Sequence, residues 1–301
     1  MVRLVFFGTP ADAVPALEAL HAEGHEVALV VTQPDRRRGR GSEPGPSPVK
    51  AAAGTLGLPV RTPEKASEVV DDVAATGADV GVVVAFGQLL PTSLLAAVPH
   101  GFVNVHFSLL PRWRGAAPVE RAMLAGDRET GVSIMALEAG LDTGPVYARE
   151  RTPIGAQETA GELRTRLVAL GTDLLIATLP RVPTSTPEPQ TGEPTYADKL
   201  TVDEFALDWE QSAEDLARVV RAGNPRPGAW TTDHGTRLKL WRVRALSACI
   251  DAEPGTVFGH TRVATGDGAL ELVEVQPEGR RAMDANAWLA GRRAPDALLG
   301  T

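Results

Sequence analysis

The sequence predicts an α/β protein, a Rossmann-like doubly wound parallel sheet followed by a small OB-like β-barrel. Three observations carry this. Residues 2–7 are an almost wholly apolar run followed by a turn, a helical stretch and a second apolar run, which is a β-turn-α-β unit. Apolar strands then keep alternating with helical stretches as far as residue 179. After a Pro-rich stretch the texture changes to short strand-like pieces separated by Gly-containing turns.

Taken in order, the continuous apolarity of 2–7 suits a strand buried on both faces. Thr9 is placed to cap the following helix, with Pro10 at the first helical position and Asp12 three residues after the cap. That helix runs to about Glu23, Gly24 closes it, and 27–32 is the next strand. Residues 33–50, QPDRRRGRGSEPGPSPVK, form a long loop holding Arg36, Arg37, Arg38 and Arg40. A helix is expected near 49–56, and strands at 79–85, 101–106 and 131–137. Leu163, Leu167, Leu170, Leu174 and Leu175 mark a helix over 158–179. The expected domains are 1–179, a linker at 180–205 with five prolines by residue 195, and 206–301. Within the last, strands are expected at 237–244, 255–263 and 269–275, with helices at 212–222 and 283–289.

Composition narrows the function classes. With 43% hydrophobic and 23% charged residues, the 301-residue chain has an ordinary globular make-up. Its single cysteine, Cys249, permits no internal disulfide and no thiolate zinc site, and fits a reducing cytoplasm. No apolar run approaches the ~20 residues of a membrane helix. The N-terminus lacks the pattern of a signal peptide, because its apolar stretch stops at Gly8 and acids follow.

The strand GFVNVH points Asn104 and His106 to one face, near the strand end where open α/β sheets bind ligands. The loop 108–118 follows. A second strand runs into Gly140-Leu141-Asp142-Thr143-Gly144, a loop expected to open at the same carboxyl edge and to bring Asp142 to His106. Asn offers amide protons to a developing oxyanion, His moves a proton near neutral pH, and Asp orients the ring. The set suits direct acyl transfer to an amine. Structural roles for each residue, a Ser108 nucleophile, a His/Asp metal site and a Rossmann oxidoreductase stay open. Ser108 lacks the G-x-S-x-G elbow, no H-x-H or HExxH spacing is present, and GTP replaces G-x-G-x-x-G after the first strand.

NVHFSLLPRWRGAAP (104–118) with GLDTGP (140–145) resembles the folate-dependent formyltransferase family, and FFGTP (6–10), VAFGQLLP (84–91) and RAGNPRPGAW (221–230) match too. The resemblance runs from end to end. It implies Asn104, His106 and Asp142 as catalytic residues and 10-formyltetrahydrofolate as formyl donor. It places the folate by Phe86, Gly87, Gln88, Leu89, Leu90 and Pro91, with Ser108, Leu109, Leu110 and Pro111 beside it. The SLLPRWRGAAP segment further implies initiator methionyl-tRNA as acceptor. No metal or membrane is implied, and a cytoplasmic monomer is expected.

Charge placement agrees with an RNA partner. The chain is acidic overall, with 30 Lys+Arg against 38 Asp+Glu and a net charge of −8. Yet 34–50 carries +3, 218–244 carries +6 and 280–293 carries +3. Such patches are often merely solvated, but they are also what a phosphate-reading surface needs on a repulsive protein. The candidates are Arg36, Arg37, Arg38, Arg40, Arg221, Arg237, Lys239 and Arg242, with Trp230, Trp241 and His234 placed to pack or stack. A related enzyme acting on a sugar-nucleotide amine or hydrolysing formylfolate would not need the basic loop. An RNA-binding module without catalysis would leave Asn104, His106 and Asp142 unexplained.

Overall fold

A computed structural model describes residues 1–37, 43–247, 250–292 and 298–300. Arg38, Arg40, Cys249 and Arg293 lie outside the described residues. The chain divides into two units, each taken by itself.

Unit 1 comprises Met1–Pro118, Glu129–Pro153 and Arg164–Ala197. It runs β1 (Arg3–Gly8), α1 (Val14–Ala22), β2 (Glu26–Val31), β3 (Arg36–Arg37), β4 (Pro44–Gly45), α2 (Pro48–Thr55) and β5 (Val60–Arg61). Then come α3 (Val70–Ala75), β6 (Val80–Val84), α4 (Thr92–Leu95), β7 (Phe102–His106) and β8 (Arg114–Gly115). Past α5 (Pro118–Leu124) follow β9 (Glu129–Ala136), β10 (Val146–Pro153), α6 (Ala160–Thr178) and β11 (Tyr196–Ala197).

Seven strands form one sheet in the order β10-β9-β7-β6-β1-β2-β5. β1 and β6 sit at its middle, covered on both faces, which is why their sequences are continuous apolar runs. Phe7 packs edge-on against Phe86 at 5.2 Å and Phe102 at 5.4 Å between ring centroids. This trio joins β1, the loop after β6 and the start of β7 into one core.

Two expectations need correction. The sheet is mixed rather than all parallel, because β9 runs antiparallel to β7 and β10 antiparallel to β9. Residues 107–128 join the two strands, and the chain re-enters the sheet with Ser133 beside His106 at the end of β7. Thr9 does not cap α1, which begins after a 3₁₀ turn at Ala11–Ala13. Its hydroxyl donates instead to the Phe86 carbonyl at 2.9 Å, linking the loops after β1 and β6.

Unit 2 comprises Val119–Arg128, Ile154–Leu163 and Asp198–Thr301. It contains α7 (Ala213–Gly223), β12 (Ala229–Asp233), β13 (Thr236–Leu246), β14 (Val257–Phe258), β15 (Arg262–Ala264), β16 (Ala269–Pro277), β17 (Met283–Asp284) and α8 (Ala285–Ala290). Ser212 caps α7 by accepting the Asp215 N–H, and Asp284 caps α8. The strands form an antiparallel sheet ordered β12-β13-β16-β15-β14, with β17 on β16. The expected OB-like barrel is not closed: among the described residues no ladder joins β12 to β14. Closure needs strands long enough to tilt round the axis, and β14 and β15 have two and three residues.

The aromatic trio gives a direct test. Phe102→Ala is expected to lower stability by about 3–5 kcal/mol, since the ring is buried and packs edge-on against Phe7. Denaturant unfolding of unit 1 fluorescence or circular dichroism measures it; a loss below about 1 kcal/mol contradicts the assignment of this core.

Candidate active site

The period of β7 sets Asn104 and His106 on one face. Asn104 lies opposite Val83 of β6 and Met135 of β9, half-buried, and its amide makes no hydrogen bond among the described residues. His106 is buried. Its Nε2 lies 2.8 Å from the Trp113 carbonyl oxygen. A carbonyl only accepts, so Nε2 carries a proton and Nδ1 is the nitrogen left for exchange. Nδ1 faces Oδ2 of Asp142 at 3.7 Å, which is beyond hydrogen-bond length, so the coupling is Coulombic. The same Oδ2 accepts the Gly115 N–H at 2.8 Å.

The three predicted residues are therefore brought together, but by a different route for Asp142. Because β9 is antiparallel, its end at Ala136 lies beside Val103, near the start of β7. The loop after β9 leaves at the opposite sheet edge from the one expected and doubles back to reach His106. That return is tight. Asp142 adopts φ +51°, and a Cβ on Gly144 would come within 1.9 Å of the Ala136 carbonyl oxygen, so only glycine fits there.

The predicted folate residues divide by exposure. Phe86 is buried, and its carbonyl accepts from Thr9 Oγ1 and from Gln33 Nε2 at 2.9 Å. Gln88 is committed to its neighbours, accepting the Ala66 N–H and donating to the Glu64 carbonyl. Leu89 is 77% exposed, and Leu141 beside Asp142 is 50% exposed. Gly87 adopts φ +85° and Leu90 packs on the core, while the carbonyls of Pro91, Leu109 and Pro111 are committed to the N–H groups of Leu94 and Leu95, Arg112 and Thr195. Leu110 is buried against Met135 and Val146. Ser108 is fully buried and its hydroxyl donates to the Arg112 carbonyl at 2.6 Å, which removes it as a nucleophile.

The basic residues divide by partner. Arg36 and Arg37 are exposed on β3. In unit 2, Arg237 lies 3.9 Å from the Trp230 ring centroid and Lys239 lies 5.3 Å from that of Trp241, on the exposed face of β12 and β13. Lys239 also donates to the Pro227 carbonyl. Arg242 stands 3.9 Å from both Glu162 and Glu274. Arg221 is half-buried against the Glu158 carbonyl, and burial, then Arg218, pull its pKa down. Arg218 and Arg244 are paired with Asp215 and Glu271, while Asp233, the one acid of 218–244, is taken by Arg292 from outside it. The +6 of this segment is thus partly neutralised in place.

Sequence reasoning missed the groups that hold the triad. The Trp113 carbonyl and Gly115 N–H are main-chain atoms, invisible in a residue pattern. Gln190 lies in the Pro-rich stretch, yet its Nε2 donates to the Asp142 carbonyl at 2.8 Å and the Gly144 carbonyl at 2.7 Å.

Comparison with known proteins bears on this arrangement. The Formyl transferase family model matches residues 2–179, and the Formyl transferase, C-terminal domain model matches residues 199–293. The methionyl-tRNA formyltransferase of Ruegeria pomeroyi is 49% identical over 298 residues, covering 98% of both chains. That of Thermus thermophilus is 49% identical over 306 residues, covering 99% of both. Among solved structures, the N-formyltransferase of Helicobacter canadensis with folinic acid and dTDP-3-aminofucose shares the fold at TM-score 0.69 and 17% identity, over 92% of this chain and 100% of that one. The phosphoribosylglycinamide formyltransferase of Bacillus halodurans aligns at TM-score 0.52 and 28% identity, over 61% of this chain and 96% of that one.

The His106 geometry predicts that nitrogen-15 NMR finds the neutral ring protonated at Nε2. A neutral ring protonated at Nδ1 contradicts the bond to the Trp113 carbonyl.

Proposed function

Since the chain belongs to the formyl transferase family, we propose that it transfers the formyl group of 10-formyltetrahydrofolate to the α-amine of methionine on initiator tRNA. The observation that carries this is the placement of Asn104 and His106 on one face of β7, with Asp142 of the loop after β9 facing His106, in a chain 49% identical over nearly its whole length to methionyl-tRNA formyltransferases. In this reading the enzyme works as a cytoplasmic monomer. Among the described residues no helix is long and apolar enough to cross a membrane.

Both substrates find suitable chemistry. The exposed Leu89 and Leu141 offer apolar contact to a flat ring. Arg36 and Arg37 in the loop after β2, with Arg38 and Arg40, are proposed to meet the acceptor end of the tRNA. Arg237 and Lys239, backed by Trp230 and Trp241, together with Arg221 and Arg242, meet its phosphates. The half-buried Arg221 and the carboxylate-flanked Arg242 are the weaker candidates for direct contact.

The reaction needs no protein nucleophile, because the amine supplies its own electron pair. The neutral amine nitrogen attacks the formyl carbon and charge moves to the formyl oxygen. The Asn104 amide, uncommitted to any described residue, donates to that oxyanion. The amine proton passes to Nδ1 of His106, and the Asp142 carboxylate balances the imidazolium. The bond from the formyl carbon to N10 breaks, and the proton goes from Nδ1 to N10. Tetrahydrofolate and the formylated aminoacyl-tRNA leave.

Transfer of labelled formyl to charged initiator tRNA, charged elongator tRNA and a sugar-nucleotide amine tests this. Label on initiator methionyl-tRNA alone supports the reading; label on the sugar or release to water overturns it. Asn104→Ala and His106→Ala are each expected to lower kcat roughly 100- to 1,000-fold while leaving the tRNA Kd unmoved. Replacing Arg237 and Lys239 together by Ala should reduce the slope of log Kd for tRNA against log salt by about 2. An unchanged slope removes this face from the tRNA site.

A further inference from the structure

We infer that Gln190 is a positioning residue of the transfer reaction, clamping with one side-chain amide the two pieces of backbone that hold Asp142; this rests on the reaction proposed above. Gln190 comes from the Pro-rich stretch, far in sequence from either motif. Its Nε2 has two protons, and both are committed, one to the Asp142 carbonyl and one to the Gly144 carbonyl. Its Oε1 accepts from Nε of Arg114 at 3.1 Å and from Nη2 of the same residue at 2.7 Å. Arg114 precedes Gly115, whose N–H holds the Asp142 carboxylate. One amide thus ties the loop that carries the carboxylate to the strand that orients it.

The surrounding chain reinforces the assignment. β11 pairs with β8, and Ala197 lies so near Gly115 that a Cβ there would meet its carbonyl oxygen at 2.7 Å. Thr195 Oγ1 accepts the Trp113 N–H at 2.9 Å, and Glu188 pairs with Val146 just beyond the Asp142 loop. The carbonyl of Trp113 is the group that holds Nε2 of His106. Both partners of the imidazole, carbonyl on one side and carboxylate on the other, are therefore fixed by a single ten-residue stretch, 188–197.

The chemistry selects glutamine. The position needs two donors and two acceptors in one planar group. Glutamate supplies the acceptors for Arg114 but has no proton for the two carbonyls. Methionine keeps the length and supplies neither. Asparagine is one methylene short. Loss of the donors frees the left-handed Asp142 turn, and a displacement of about 1 Å at a reacting group costs up to about 100-fold in rate.

The test measures formyl transfer to initiator methionyl-tRNA by wild type, Gln190→Met, Gln190→Glu and the control Glu193→Ala, each also in an Asp142→Ala background. Thermal unfolding confirms that each variant is folded. We expect Gln190→Met and Gln190→Glu to lose roughly 10- to 100-fold in kcat with unmoved KM for both substrates. In the Asp142→Ala background that loss should nearly vanish, because the group being positioned is gone. Equal losses in both backgrounds, or a wild-type kcat in either variant, overturn the proposal. The His106 nitrogen-15 resonances give a readout independent of the acceptor. They should shift in both Gln190 variants and not in Glu193→Ala. If wild type formylates no tRNA but the resonances shift as expected, the reaction was misassigned and the clamp stands; if wild type is active and they do not shift, the clamp fails.

Discussion

The site depends on where one carboxylate oxygen is held. Oδ2 of Asp142 accepts the Gly115 N–H and faces Nδ1 of His106, so a single atom links the loop after β9, the β8 strand and the end of β7. The topology makes this demanding. Since β9 runs antiparallel to β7, its loop starts at the far edge and must return across the sheet. The return is made by a residue at positive φ and a glycine pressed against the Ala136 carbonyl, both costly unless the surroundings over-determine them. The hydrogen bonds converging on this loop have that role.

Much of this was legible in the sequence, for physical reasons that also explain the rest. β1 and β6 could be read because a strand buried on both faces must be apolar throughout. Asn104 and His106 could be placed together because a strand has period two. The direction of β9 could not, since alternation of burial is the same read either way. That is why Asp142 was expected in the right neighbourhood by the wrong path. Thr9 has the right composition for a cap, but a nearby carbonyl at Phe86 competes for its hydroxyl, and local propensity lost to a tertiary bond. Gln190 left no signal at all, because a saturated amide in a Pro-rich stretch looks like any other polar residue.

The basic segments show a similar limit. Counting charges found them, but net charge says nothing of pairing. Arg292 is nearly fully buried on Asp233, whereas Arg237 lies half-exposed over the Trp230 indole. The first is structural, since a buried guanidinium is tolerable only with its carboxylate. The second keeps its charge available to solvent phosphates while the ring limits its freedom. Closure of the β-sheet was likewise beyond the sequence, because it depends on strand lengths of two and three residues that texture alone does not resolve.

The bond from His106 to the Trp113 carbonyl has a stereochemical consequence. A ring anchored at one nitrogen cannot serve as a conduit that accepts on one side and delivers on the other. It has a single port, and whatever enters at Nδ1 must leave at Nδ1. The nitrogen that gives up a proton and the nitrogen that receives it must therefore visit the same side of the imidazole in succession. Two nitrogens bonded to one tetrahedral carbon meet that condition with no large movement, whereas donor and acceptor groups on separate, distant molecules would not. In the proposed transfer, the anchoring of one ring nitrogen thus suits a reaction in which the attacking and departing nitrogens share one carbon.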